Sequence, residues 1–278
     1  MTDGLSLECI KQALGGDAAF YDIVVKDSVS STNTLLKEYA AGQSASEAAK
    51  PEAGSLPFAA DGRMKVLIAG HQTAGRGRRG RSFESPAGTG VYLSVLLRPG
   101  CPAEQSLAIT TAAAVAACLA IEECTEEKPQ IKWVNDVYVR GKKVCGILTE
   151  GSADPASGLL NWAVMGIGFN VYEPQNGFSE DIKDLAGAIT QNVQKNLRER
   201  LSGAFLRHFA DVLAAGQHAE AYKSRSLLTG KDIMVIRSGT EKPAHVLDID
   251  DQCRLVVRYE DGSTEALSSG EVSTRLLG

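Results

Sequence analysis

Seven residues, Gly75 to Arg81, hold four arginines and three glycines between two apolar runs. The runs at 66–70 and 91–97 have the length and composition of buried strands. Glycine permits close backbone approach, and arginine is a planar, permanently charged fork that suits phosphate and carboxylate oxygens. The segment is therefore predicted to be a loop, fixed within a folded sheet, that can wrap a small anionic ligand.

The same loop could instead contact nucleic acid or be a solvated turn. The chain has 29 lysines and arginines against 34 aspartates and glutamates, a formal net charge of −5. Such a chain has no overall basic field to hold a polyanion, which disfavours nucleic acid. From this loop alone the three alternatives remain open, with the small anion favoured.

The predicted elements fall into two parts, as a length of 278 residues suggests. Helices at 107–123 and 196–215 alternate with strands in the first part. After about residue 227 short strands follow closely, and Asp261-Gly262 is a hairpin signal. We expect an α+β fold, with a mixed sheet in residues 1–226 and a small β-barrel in 227–278. The expected strands of the first part are 21–25, 66–70, 91–97, 130–133, 136–139, 144–150 and 162–167, and 42–63 is an expected insertion or loop.

A second polar cluster begins at Lys132 and runs to Asp136, with Lys143 seven residues further on. A turn at Gly141 would return Lys143 to the side of Asn135 and Asp136. An amide, a carboxylate and an ammonium group there would suit a phosphate and its Mg²⁺. Taken alone, an ordinary surface hairpin is the commoner explanation of such a set.

The sequence lacks the motifs that are typical of several functional classes. The chain has no GxxxxGK[ST], no GxSxG and no GxGxxG between a strand and a helix. Its six cysteines form no CxxC pair, which argues against a zinc site and a disulfide framework and indicates a reducing, cytoplasmic location. The N-terminus does not resemble a signal peptide, and the apolar stretch 107–121 is short for a membrane span.

Taken in chain order, these segments resemble biotin protein ligase, also called biotin–[acetyl-CoA-carboxylase] ligase. The likeness extends over residues 21–278, and the arginine-glycine block followed by the Asn-Asp…Lys block is its most specific part. Two departures are Phe83, where the family usually has tryptophan, and an N-terminus too short for the helix-turn-helix domain of its repressor members. The matching pieces are 31–33, 72–81, 85–99, 132–136, 143–150, 166–170, 270–273 and Arg275.

The resemblance implies a mixed-sheet catalytic domain of the biotin/lipoate ligase type with a C-terminal SH3-like β-barrel. It also implies that ATP and Mg²⁺ convert biotin to biotinyl-5′-AMP, and that the biotinyl group passes to one lysine of a biotin carboxyl carrier protein. A homodimer is compatible with it, whereas DNA and membrane partners are not implied. A lipoate-type ligase is the alternative within the fold, but its Arg-Arg-x-Ser-Gly-Gly-type segment is absent.

The resemblance further implies roles for individual side chains. The expected catalytic residues are Lys143, Arg78 and Asp136. Expected at biotin are Ser31, Thr32, Asn33, Gln72, Gly75, Arg76, Arg78, Lys143 and Gly146. Expected at ATP or the adenylate are Arg78, Arg79, Arg81, Phe83, Asn135, Asp136, Lys143, Ile147, Asn170 and Arg275.

Overall fold

The computed structural model describes residues 4–42, 63–237 and 240–268, together with the backbone of 273–276. Most of the predicted insertion at 42–63 lies outside these residues. The described helices are α1 (Leu7–Leu14), α2 (Thr32–Gly42), α3 (Ser106–Cys124), α4 (Leu197–Ala215) and α5 (Ala219–Lys223). The described strands are β1 (Tyr21–Lys26), β2 (Met64–Ala69), β3 (Gly90–Leu97), β4 (Gln130–Lys132), β5 (Asp136–Val139), β6 (Lys142–Ala153), β7 (Leu160–Asn170), β8 (Asp232–Arg237), β9 (Thr240–Ile249), β10 (Leu255–Tyr259), β11 (Thr264–Leu267) and β12 (Ser273–Leu276).

The strands form two sheets, and the expected α+β fold is confirmed. The seven-stranded sheet has the order β1-β2-β3-β7-β6-β5-β4. It is mixed because β1 and β2 pair in parallel, whereas its other neighbouring strands pair antiparallel. The five-stranded sheet is antiparallel, in the order β11-β10-β9-β8-β12. The predicted boundary between residues 226 and 227 lies in the connection from α5 to this second sheet.

Both faces of the central strands β3 and β7 are covered, which explains their nearly continuous apolar sequences. Leu93, Val95 and Leu97 of β3 belong to the main core, which also contains α3 and α4. Leu96, on the other face of β3, packs against Leu36 of α2. We call this second surface the α2 face, since successive residues of a strand point to opposite sides.

Helix α3 is buried on nearly every side. Its alanines at 112, 113, 114, 116 and 117 have no solvent exposure, because the sheet and α4 enclose them. Among the described residues, Ala103–Cys124 is the helical segment whose length and composition would also suit a membrane span. Its burial within the protein core accounts for that composition.

Helix α2 begins at the edge of the α2 face. The Ser31 hydroxyl accepts a hydrogen bond from the backbone N–H of Thr34 at 3.4 Å. A serine side chain in this position satisfies one of the free amides of the first turn. The cap holds the first turn of α2, with Thr32 and Asn33, against the sheet.

Candidate active site

Register partners on neighbouring strands place two rows of residues on the α2 face. Directly opposed residues of adjacent strands share a face, so each row lies across the sheet surface. Three of the six positions are glycines, which leaves that part of the surface without side chains. One row is Ser94, Gly166 and Leu148, and the other is Gly168, Gly146 and Asp136.

Two side chains from outside the sheet lie over these glycines. A Cβ atom on Gly166 would stand 1.9 Å from Oδ1 of Asn33. A Cβ on Gly168 would stand 2.5 Å from Cε1 of Phe83, and a Cβ on Gly146 would stand 3.0 Å from the same ring. Contacts this short cannot be accommodated without a shift, so the glycines are needed for Asn33 and Phe83 to occupy the site.

Neutral hydrogen-bonding groups form one end of the site. The side-chain carbonyl of Gln72 accepts a hydrogen bond from the Thr32 backbone N–H at 2.9 Å, and its amide group donates to the Ser85 hydroxyl, also at 2.9 Å. The Ser94 hydroxyl lies 2.6 Å from Oδ1 of Asn33 and 2.8 Å from the Thr32 hydroxyl. These contacts fix the orientation of a small polar group of side chains beneath the start of α2.

Cationic groups form the other end. Nη1 of Arg78 donates to Oδ1 of Asn135 at 2.9 Å, and the amide of Asn135 donates to the backbone carbonyl of Ile147 at 2.9 Å. Nζ of Lys143 lies 2.7 Å from Oδ1 of Asp136. The β5–β6 hairpin thus brings Lys143 back to Asp136, as its spacing predicts.

Burial acts on the cations at this end. It lowers the pKa of Arg78, an effect that nearby Asp136 opposes and Arg79 reinforces. It also lowers the pKa of Lys132, where Asp136 again opposes the shift and Lys143 reinforces it. Partly desolvated cations that repel one another are stabilised by an incoming anion, so this end of the site favours phosphate or carboxylate groups.

Glu150 connects Asn33 to two cations, Lys37 and Arg76. Its carboxylate accepts hydrogen bonds from Nζ of Lys37 at 2.6 Å, from Nη2 of Arg76 at 3.0 Å and from Nδ2 of Asn33 at 3.1 Å. Burial disfavours the ionised carboxylate, but the bonds from Lys37 and Asn33 and the charges of Lys37 and Arg76 outweigh it, so the pKa of Glu150 is lowered. No local sequence pattern marks Glu150 for this role.

A groove with about 470 Å³ of empty space joins these groups. Three cationic side chains line it, and no acidic residue of the described chain does. A ligand with a neutral polar end and an anionic end would match this distribution. The lining residues are Ser31, Thr32, Asn33, Gln72, Arg76, Gly77, Arg78, Phe83, Asn135, Lys143, Gly146, Ile147, Leu148, Gly166, Ile167 and Gly168.

Several predicted site residues lie outside this lining. Arg79 and Arg81 are exposed on the loop, and Asn170 is buried at the end of β7. Gly75 lies at the base of the loop, where a Cβ would stand 2.3 Å from the backbone carbonyl oxygen of Phe83. Arg275 belongs to β12, and its side chain is outside the described part of the chain.

Comparisons with known proteins agree with this architecture. Residues 25–170 match the model of the biotin/lipoate A/B protein ligase family, and residues 230–275 match the biotin protein ligase C terminal domain. The biotin–[acetyl-CoA-carboxylase] ligase of Mycobacterium tuberculosis is 34% identical over 217 residues, which cover 74% of this chain and 77% of that protein. The solved biotin protein ligase of Aquifex aeolicus, in complex with biotin and ATP, superposes with a TM-score of 0.70 at 25% identity and covers 92% of this chain and 99% of its own.

A more identical but shorter match also occurs. The bifunctional ligase/repressor BirA of Bacillus subtilis is 40% identical over 126 residues, 45% of this chain. The chain thus matches 38% of the length of that relative.

The fold and the family match over the central sheet define a protein ligase: the chain belongs to the biotin/lipoate A/B protein ligase family. The match of the C-terminal sheet and the named relatives place it among the biotin protein ligases of that family.

Replacing Glu150 with glutamine tests its connecting role. Because the pKa of Glu150 is lowered in the fold, its ionised form stabilises the protein fully above about pH 4.5 and less as the pH falls. We therefore expect Glu150→Gln to lower the free energy of unfolding at pH 7 by on the order of 1 kcal/mol. The deficit should shrink in thermal melts below about pH 4.

Asp22→Asn is the control variant. Like Glu150→Gln it removes one carboxylate of an ion pair, but Asp22 pairs with Lys65 near the sheet edge, away from the groove. A deficit in Glu150→Gln that is the same at pH 7 and in acid would contradict the assigned role of the carboxylate.

Proposed function

We propose that the protein activates biotin with ATP to form biotinyl-5′-AMP and then transfers the biotinyl group to a lysine of a biotin carboxyl carrier protein. One observation carries the proposal: Arg78 and Lys143 converge at one end of a groove whose other end is neutral and polar. Biotin has a neutral ureido ring and a carboxylate, so it matches both ends. The Aquifex relative was solved with biotin and ATP, which supports the same pair of substrates here.

The neutral end would take the ureido ring. Thr32, Asn33 and Gln72 offer hydroxyl and amide groups whose positions are already fixed by hydrogen bonds to one another and to Ser94 and Ser85, and the Ser31 hydroxyl is held by the Thr34 backbone N–H. Fixed polar groups in a small slot cost little reorganisation when a matching ligand binds. They would also disfavour an apolar analogue, which leaves them without partners.

The cationic end would catalyse adenylate formation. A carboxylate oxygen of biotin attacks the α-phosphorus of ATP, the bond from that phosphorus to the bridging oxygen breaks, and pyrophosphate leaves. The two reacting groups are both anions and repel each other. Lys143 and Arg78 would offset that repulsion and stabilise the added charge of the transition state, which is the largest contribution that such sites make.

Mg²⁺ fits this site as a partner of the phosphates. Mg²⁺ is commonly held by one or two carboxylates together with substrate phosphates and water. The described residues contain no group of three or more His, Cys, Asp or Glu side chains that could bind a metal alone. Asp136 would be its protein ligand, with Asn135 beside it, and the ion would neutralise phosphate charge.

Transfer completes the reaction. The uncharged ε-amine of the acceptor lysine attacks the acyl carbon, the bond from that carbon to the phosphate oxygen breaks, and AMP leaves as the amine loses a proton. We propose a carboxylase carrier domain as the acceptor, since the Mycobacterium relative is named for acetyl-CoA carboxylase. A homodimer and a cytoplasmic location are further proposals, the latter supported by six unpaired cysteines.

Biotin-dependent exchange of pyrophosphate into ATP tests the first half-reaction. The wild-type protein should exchange label only when biotin is present. Lys143→Ala should reduce the rate by roughly 100-fold or more, because it removes a charge aimed at the transition state. The unfolding midpoint should change little.

Lys142→Ala is the matched control. Its ammonium group donates to the backbone carbonyl of Asp184 rather than lining the groove, so exchange should persist. Full exchange in Lys143→Ala would overturn the role of Lys143. Exchange that follows lipoate in place of biotin, or RNA binding without any exchange, would overturn the proposed substrate.

Two glycine substitutions test the orientation of the ligand. Gly168→Ala displaces Phe83, whereas Gly166→Ala displaces Asn33. We expect Gly168→Ala to raise the KM for ATP and Gly166→Ala to raise the KM for biotin, each by roughly tenfold, because a misplaced contact of this kind costs about 1–2 kcal/mol. Steady-state exchange with each substrate varied in turn measures both constants. Equal effects on both substrates in both variants would contradict the orientation.

A further inference from the structure

Two hydrogen bonds that the proposed function does not use fix the turn between β4 and β5. The Trp133 indole N–H donates to the backbone carbonyl of Cys253 at 2.9 Å. The Tyr222 hydroxyl donates to the backbone carbonyl of Val134 at 3.0 Å. One bond comes from the C-terminal sheet region and the other from α5, so two separate parts of the chain hold the same three-residue turn.

This turn sets the position of Asn135. The side chain of Asn135 joins Arg78 to the carbonyl of Ile147, and its own carbonyl accepts from the Ile147 backbone N–H at 2.9 Å. Asn135 directly follows the Val134 carbonyl that Tyr222 holds. A rotation of that peptide would therefore move the acceptor of Arg78.

The Tyr222 hydroxyl is suited to act as a fixed hydrogen-bond donor. It has no solvent exposure, and burial raises the pKa of its hydroxyl well above the ordinary value, so the group remains a neutral donor. Its hydroxyl bonds to Val134, whose neighbour Asn135 accepts a hydrogen bond from Arg78, so it lies next to the turn that carries the cationic end of the groove. The segment after α5 also pairs with β4, through hydrogen bonds between Ile131 and both Arg225 and Leu227.

We propose that Tyr222 is a positioning residue for adenylate formation: its hydroxyl fixes the Val134 carbonyl, and thereby holds Asn135 and Arg78 where the α-phosphate reacts. The proposal rests on the proposed function, because it concerns the same reaction. Trp133 acts in parallel through Cys253, so the C-terminal sheet region supports the reaction through the backbone of this turn.

A second tyrosine provides a matched control. Tyr21 is 3% exposed, and its hydroxyl donates to the backbone carbonyl of Leu206 at 2.6 Å, on the core side of the sheet and away from the groove. Tyr21→Phe and Tyr222→Phe therefore remove the same kind of bond, from a buried tyrosine to a backbone carbonyl. A loss of unfolding midpoint that both variants share measures the cost of removing such a bond. A difference between them in kcat measures how far Tyr222 positions the reacting groups.

Both variants are compared with the wild type by thermal unfolding and by biotin-dependent pyrophosphate exchange. We expect similar losses in unfolding midpoint. Tyr222→Phe alone should lower the kcat for exchange, by roughly tenfold, because small displacements of reacting groups have effects of this order or larger. Its KM for biotin should change less than its kcat, since the neutral end that would hold the ureido ring is untouched.

A double-mutant cycle with Asn135→Ala tests the route of the effect. If Tyr222 acts through Asn135, Tyr222→Phe should have little further effect on kcat once Asn135 is alanine. Full additivity, or equal kcat values for Tyr222→Phe and Tyr21→Phe, would overturn the proposal. Absence of exchange in the wild type would instead overturn the proposed function, so the two failures are distinguishable.

Discussion

The site depends on a patch of sheet from which side chains are missing. Gly146, Gly166 and Gly168 adjoin one another on the α2 face through the registers of β6 and β7. Only there can Asn33 and Phe83 lie directly against the backbone. The α2 cap, the Gln72 contacts and the arginine loop are all arranged around this bare surface. Larger residues at these positions would fill the groove from beneath and leave no room for a ligand between the loop and the sheet.

The charges of the site are arranged in pairs rather than as an isolated cationic cluster. Arg76 contacts Glu150, Lys143 contacts Asp136, and Arg78 contacts a neutral amide. Paired charges keep the cost of partial burial low while the groove holds no anion. An anionic ligand would then compete with Glu150 and Asp136 for their cations. The net affinity is a difference between two sets of ion pairs, which favours ligands that bring more than one negative group.

Local spacing predicted the parts of the site that lie close together in the chain. The approach of Lys143 to Asp136 followed from one hairpin. The Gly166-x-Gly168 pair has no comparable local signal. Its meaning requires strand register, because residues two apart in a strand share a face and Gly146 joins them only across the β6–β7 pair.

Other elements were missed because their signals are short or distant. Helix α1 has eight residues with two buried side chains, and α5 has five residues with one, too few to show a period. Ser94 lies in an apolar strand, and Glu150 contacts Asn33 across 117 residues of sequence. Pairings of that kind are set by the assembled sheet, and no local pattern encodes them.

The hairpin that carries Lys143 has a consequence for how the site assembles. Part of the cationic end is closed by neighbouring segments, since Asn135 bonds to Ile147 only 12 residues away, although Arg78 reaches Asn135 across 57 residues. The neutral end needs Asn33 to reach Leu148, 115 residues away. Closing a longer loop costs more chain entropy, and contacts between near neighbours form sooner during folding. The two ends of one groove therefore differ in how much of the chain they need: Asn135, Asp136 and Lys143 can come together within the β5–β6–β7 meander, whereas Arg78 and the neutral end are added only when the N-terminal part of the chain docks on it.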